Sequence, residues 1–153
     1  MSDLSIEQVT SQNFREYLDL LEKLAEYEHL TPPDIEARER LKRDALTPPP
    51  KFEAYLGCIG GNAVSYITLY FTYSTFLARP TLYLEDIFVL EPYRKTGVGR
   101  SLMQFCRSLA AKRGCGRMEW TVLTWNDPAI RFYERCGGKR LDWYLYRLNA
   151  DDI

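Results

Sequence analysis

Two short stretches hold residue types whose spacing could do chemistry. In "EPYRKTGVGRSLMQF", residues 91–105, Gly97 and Gly99 stand one residue apart, with Arg94, Lys95 and Arg100 around them and an apolar-periodic run behind. A helix N-terminus presents unpaired N–H groups and a partial positive charge, and glycines let successive N–H groups turn into one concavity. Such a loop suits a phosphate or pyrophosphate; the competing reading is a plain tight turn from strand to helix. A Walker loop needs lysine and a hydroxyl residue directly after its second glycine, where "GVGRS" has arginine. A dinucleotide fingerprint needs a third glycine where Leu102 stands. The second stretch is "LEDIFV", in which Glu85 and Asp86 are adjacent carboxylates able to accept a proton. On a regular strand Glu85, Ile87 and Val89 share one face and Leu84, Asp86 and Phe88 the other, so both acids reach one pocket only where the strand is bulged or splayed.

The elements that must position these residues follow from periodicity. "LSIEQV" alternates as a strand, and "NFREYLDLLEKLAEYEHL" repeats apolar residues at helical spacing after a capping Asn13, stopping at Pro32 and Pro33. Residues 34–46 predict a second helix ended by "TPPP". "FEAYLGCI", the turn "GGN" and "AVSYITLYFTY" predict a hairpin, and residues 81–90 a third consecutive strand. A helix is expected from about Gly97 to Arg113, then a strand over Arg117–Thr124, a short helix in "NDPAIRFYERCG" closed by glycines, and a last strand over Leu141–Leu148. The order β-α-α-β-β-β-α-β-α-β predicts an α+β fold in one domain spanning 1–153: a mixed, mostly antiparallel central sheet flanked by helices.

Composition narrows the class. With 46% hydrophobic and 27% charged residues and a formal net charge of -1, the chain has the balance of a globular protein and lacks the basic footprint of a nucleic-acid binder. No apolar run is long enough for a bilayer, and "MSDLSIEQVT" lacks the basic flank and apolar stretch of a secretory leader; the expectation is a cytoplasmic protein with neither membrane nor nucleic acid as partner. Cys58, Cys106, Cys115 and Cys136 are scattered and read as thiols, and His29, the one histidine, cannot anchor a metal, so no metal is expected.

"YRKTGVGRSLM" after "DIFVLEP" carries Arg94, Gly97 and Gly99 at the fixed positions of the (Arg/Gln)-x-x-Gly-x-(Gly/Ala) signature, and the chain therefore resembles the GNAT acetyltransferases. "WNDPAIRFYERCG" is similar to that family's later motif, and the element order agrees over essentially the whole chain. "LAEYEHL", "YFTYSTF" and "LYLEDIFV" resemble the diamine (spermidine/spermine) and thialysine branch; Ser74 in "YST" is nearer the thialysine members, while Phe76 stands where both commonly carry tryptophan.

The resemblance implies an enzyme that moves acetyl from acetyl-CoA to a primary amine of a small diamine or lysine-like molecule, as a homodimer whose interface could include the aromatic "WYLYRL". It implies that the loop, with Arg94, Lys95, Thr96, Gly97, Val98, Gly99, Arg100 and Ser101, binds the cofactor pyrophosphate, and that the strand at Phe88 and Val89 meets the acetyl group through the Val89 N–H. Glu85 matches the acid assigned to proton removal, often through water, and Asp86 a neighbour linked to amine recognition. Tyr133 matches the general acid that protonates the leaving thiolate, although Ala129, Ile130, Phe132 and Tyr133 also form a plain packing face. Asn126 matches a residue near the pantetheine, and it equally reads as a helix cap. Glu28 is either a counter-charge for the substrate's far cationic end or a solvated helix acid. Tyr27, Tyr70, Tyr73 and Phe76 either wall an alkyl-ammonium channel or pack as core. Alternatives are acetylation of a protein lysine or N-terminus, and a CoA-binding module without turnover.

Overall fold

The computed structural model describes residues 3–153, which fall into two compact units, 3–121 and 122–153. In the first unit the elements are β1 (Leu4–Gln8), α1 (Phe14–Glu28), α2 (Ile35–Leu46), β2 (Glu53–Ile59), β3 (Asn62–Ser74), β4 (Arg79–Val89), α3 (Val98–Lys112) and β5 (Arg117–Glu119). Among the described residues the five strands form one sheet in the order β1-β2-β3-β4-β5. The first four pair antiparallel, and β5 joins β4 in parallel after the α3 crossover. This is the mixed, mostly antiparallel sheet that the element order predicts.

The hairpin between β2 and β3 turns on Gly60 and Gly61, whose φ of 58° and 80° are left-handed conformations that glycine adopts without a Cβ clash. Ile59 and Asn62 therefore pair directly, and the register shifts once farther on, between Gly57 and Cys58. One sheet face carries Tyr66 and packs with Phe14, Tyr17 and Leu20 of α1 and with Ala54, Leu56 and Phe88 in a single buried cluster. Facing aromatics fix it: Tyr17 and Tyr66 meet edge to face with ring centres 5.3 Å apart. The α2 helix, capped where the Asp34 carboxylate accepts from the Ala37 N–H at 2.8 Å, adds Leu41, Ala45 and Leu46 to the rim of this cluster. On the other face lies α3, with Phe105 meeting Tyr55 edge to face at 4.7 Å and Leu102 fully buried.

The second unit contains α4 (Asp127–Arg135). Asn126 caps it, its side-chain oxygen accepting from the Ala129 N–H at 3.3 Å, and Gly137 at φ 90° ends it with the Gly138 N–H donating to the Tyr133 carbonyl at 2.9 Å. Two expectations need correction. The strand expected over Arg117–Thr124 stops at Glu119, and Leu141–Leu148 forms no strand. Trp143, Tyr144 and Tyr146 are 74%, 87% and 89% exposed, and β propensity alone does not make a strand. No helix among the described residues is long and apolar enough to cross a membrane.

Candidate active site

The two acids of "LEDIFV" reach the same side of the sheet because β4 is irregular at that point. Thr68 stands opposite Asp86, but the next residue, Leu69, stands opposite Leu84, so Glu85 is an extra residue without a partner on β3. A bulge of this kind puts two side chains where regular pleating would place one. Asp86 is therefore on the face of Thr68 and Tyr66, which packs on α1, and Glu85 accepts from the Tyr70 hydroxyl on that same face at 3.2 Å. The strict alternation expected of the stretch gives way to the bulged arrangement.

Burial and like charge act together here. Asp86 is half-buried, and loss of solvation, followed by the neighbouring charge of Glu85 and that of Glu28 on α1, pushes its carboxyl up to about 7; a hydrogen bond from Thr68 holds it back in part. Burial also raises the Glu28 carboxyl above the usual range. The Tyr70 phenol is pushed up to about 12 by burial and by Glu85, so it stays a donor at neutral pH. Behind Asp86, the Tyr17 and Thr68 hydroxyls are 2.8 Å apart in the core. Tyr66 is fully buried, and its hydroxyl has no hydrogen-bond partner among the described residues.

Arg94 joins the end of β4 to the glycine loop. Its Nε donates to the Val89 carbonyl at 2.8 Å, and its guanidinium lies 4.9 Å from the ring centre of Tyr27 and 5.5 Å from that of Phe88. The loop then turns through Lys95 at φ 62°, with the Thr96 hydroxyl bonded to the Tyr93 carbonyl, and through Gly97 at φ 95°. Helix α3 starts at Val98, and the Ser101 N–H is bonded to the Gly97 carbonyl. The N–H groups of Val98, Gly99 and Arg100 thus precede the first helical hydrogen bond and sit beside the charges of Lys95 and Arg100. Val98 itself is buried to 1% exposure, and the Phe88 ring likewise belongs to the core.

Not every expected residue joins this group. Ser74 is buried at the far end of the hairpin, where its hydroxyl accepts from the Leu77 N–H at 3.2 Å, a turn role. Phe76 is fully exposed and Tyr73 is 63% exposed. Ser74 lies six positions beyond Thr68 on the strand, roughly 20 Å of chain, so the hairpin carries these three away from the acids. In the second unit Asn126 is buried and Tyr133 half-buried on α4, with Phe132 and Tyr133 edge to face at 5.5 Å. Tyr17, Thr68 and Tyr66 had no sequence signal as site residues: each reads as ordinary core at its helical or strand spacing. No group of His, Cys, Asp and Glu among the described residues could hold a metal ion.

Residues 14–138 match the model of the acetyltransferase (GNAT) family. The chain is 42% identical over 89 residues to an L-ornithine N5-acetyltransferase of Arabidopsis thaliana, a match covering 58% of this chain and 39% of that protein. It is 31% identical to a thialysine N-epsilon-acetyltransferase of Bos taurus over 88% of this chain and 85% of that one. Among solved structures, a probable acetyltransferase superposes with a TM-score of 0.84 at 22% identity, covering 97% of this chain and 99% of its own.

Proposed function

The chain belongs to the GNAT family of acetyl-CoA-dependent N-acetyltransferases, and we propose that the amine it acetylates belongs to a small diamine or lysine-like cation. One observation carries the reading: the bulge at Glu85 brings that carboxylate and Asp86 to one face of the sheet, within the field of Glu28. Three carboxyl groups crowded together repel one another, and a ligand with one or two ammonium groups relieves that repulsion. Tyr27 and Tyr70 add aromatic and hydroxyl surface against an alkyl-ammonium chain. The thialysine and ornithine acetyltransferases among its relatives are named for amines of this class.

In this reading the loop from Arg94 to Ser101 holds the pyrophosphate of acetyl-CoA through its backbone N–H groups and the Lys95 and Arg100 charges. The acid pair receives the substrate ammonium and takes its proton. Tyr133 returns a proton to the departing thiolate, and Asn126 adds a polar contact to the pantetheine arm. The test is acetyl-CoA-dependent thiol release with ornithine, lysine, thialysine, spermidine, short diamines and a lysine peptide, against a blank without amine. Saturable release with a small cationic amine is the expected result. Release with the peptide alone, or with none of them, overturns the substrate reading.

A further inference from the structure

The ladder between β2 and β3 closes at Glu53 and Leu69, whereas β3 continues through Tyr70 and Phe71 to Ser74, paired there with β4. Beside that last pair lies a hollow of about 170 Å³, walled by Pro50, Lys51, Phe52 and Glu53 from the chain entering β2 and by Tyr70 and Phe71 from β3. Consecutive strand residues point to opposite faces, so Tyr70 and Phe71 place the hollow at the edge of the sheet. On one face the Tyr70 hydroxyl donates to Glu85 at 3.2 Å, and one side chain thus joins the hollow to the acid pair. The carboxylate of Glu53 is fixed in place: Arg113 donates to it from both terminal nitrogens at 2.9 and 3.0 Å, and the Tyr55 hydroxyl donates at 2.6 Å. A carboxylate has about four acceptor positions, and these three bonds leave one open among the described residues. Lys51 brings the opposite charge. Its ammonium stands 3.4 Å from Asp44, which Arg43 holds more closely at 3.0 Å, and its side chain is 72% exposed, so it can turn to an anion without leaving Asp44 unpaired.

A fixed anion, a mobile cation and aromatic walls complement the head group of a free amino acid: its carboxylate meets Lys51, its α-ammonium meets Glu53, and its carbon lies against the rings. Size agrees, since a cavity of roughly 150 Å³ takes the six heavy atoms of benzene, and the head group with the first side-chain carbon also has six. Span agrees too. Glu53, Leu69 and Leu84 form one row across three strands, two strand spacings or about 10 Å, and Glu85 follows Leu84. A lysine-type ammonium on its four-carbon stem covers this distance once a hydrogen bond of about 3 Å is added at each end. We propose that the hollow is the head-group subsite for a free basic amino acid, which lays its stem along Tyr70 and presents its side-chain ammonium to Glu85. This rests on the amine-acetylating reading above and selects, within it, the amino acid over the diamine, because a diamine has no carboxylate for Lys51. Tyr70 is then a positioning residue, its hydroxyl orienting Glu85 and its ring carrying the stem.

The experiment compares kcat/KM for L-lysine with that for 1,5-diaminopentane, the same molecule without its carboxylate, in the full chain and in Lys51→Glu. The parent should prefer lysine, and the charge reversal should cut the lysine-to-diamine ratio by roughly tenfold or more, the loss of one charge-assisted hydrogen bond. Tyr70→Phe keeps the ring and removes the donor to Glu85, so it should lower kcat for both amines while the KM for lysine and the ratio stay near their parent values. A parent that prefers the diamine, or a ratio that Lys51→Glu leaves unchanged, overturns the subsite. Binding is also read without turnover. Titrating L-lysine into the full chain with CoA present should shift the amide NMR signals of Lys51, Phe52 and Tyr70 saturably, and Lys51→Glu should abolish the effect. Those shifts with no amine acetylated would refute the acetyl-transfer reading and keep the subsite; acetylation of lysine without them would refute the subsite and keep the reading.

Discussion

Arg94 holds its guanidinium carbon over the ring of Tyr27, 4.9 Å from the ring centre, while the same side chain donates from Nε to the Val89 carbonyl at 2.8 Å. A residue at the mouth of the glycine loop is thereby tied to the last turn of α1, which also carries Glu28, and to the strand that carries both acids. Arg94→Lys keeps the charge but loses the guanidinium over the Tyr27 ring and the Nε donor. The loss of one hydrogen bond and one cation–π contact, about 1–2 kcal/mol, predicts acetyl-CoA binding weaker by roughly tenfold. Calorimetric titration with acetyl-CoA checks it, and an unchanged Kd would show that Arg94 does not shape the loop.

Asp86 makes folding stability depend on pH. Its folded pKa, about 7, lies above the ordinary value of 3.8, so the folded chain binds more protons than the unfolded one between those limits. The contribution is complete below about pH 4 and is lost as pH rises through 7. Asp86→Asn, which cannot ionise, should be more stable than the parent at pH 8 by on the order of 3 kcal/mol, with the gap closing toward pH 5. Thermal melts of both proteins at the two pH values measure this. A gap that does not depend on pH would mean Asp86 ionises normally.

Gly97 adopts φ 95° at the start of α3. A Cβ there is strained by about 1–2 kcal/mol, and relief requires the loop to rotate its N–H groups away from a common point. Gly97→Ala should therefore lower the melting temperature by several degrees and weaken acetyl-CoA binding more than amine binding. Equal effects on both ligands would argue for general unfolding of the region.

Tyr66 buries a hydroxyl that has no partner among the described residues. Removing an unsatisfied polar atom while keeping the ring costs nothing in contacts, so Tyr66→Phe should leave stability unchanged or raise it by up to about 1 kcal/mol. Chemical denaturation reads this directly; a clear loss of stability would reveal a hydrogen bond at that hydroxyl.

Tyr133→Phe tests the proton donor. If the phenol protonates the thiolate, turnover should fall by about 10²–10⁴ with acetyl-CoA affinity nearly unchanged, since only a transition-state interaction is lost. Wild-type turnover in this variant removes Tyr133 from the chemistry.

Local signals in the sequence were enough for most of the elements. The spacing of Phe14, Tyr17, Leu21 and Leu24 marks α1, Gly60 and Gly61 mark the hairpin turn, and Gly97 to Arg100 mark the loop into α3, because helical period, left-handed turns and orphan N–H groups are properties of neighbouring residues. The match of "YRKTGVGRS" to a family signature belongs to the same class of local information.

What the linear pattern could not settle is anything that depends on a partner from elsewhere in the chain. Whether Leu141–Leu148 forms a strand depends on a neighbour to pair with, and among the described residues it forms none. The bulge at Glu85 is a mismatch of register between β3 and β4, a relation between strands distant in sequence, and it turns adjacent acids toward the same side. The Tyr17 and Thr68 hydroxyls are 51 residues apart in sequence and 2.8 Å apart in the fold. By the sequence alone, then, the residue types available at the loop and the acids were determined; that Asp86 stands opposite Thr68 and is pushed up to about 7 was decided by packing, because burial and neighbouring charge are set by the three-dimensional neighbours of a residue.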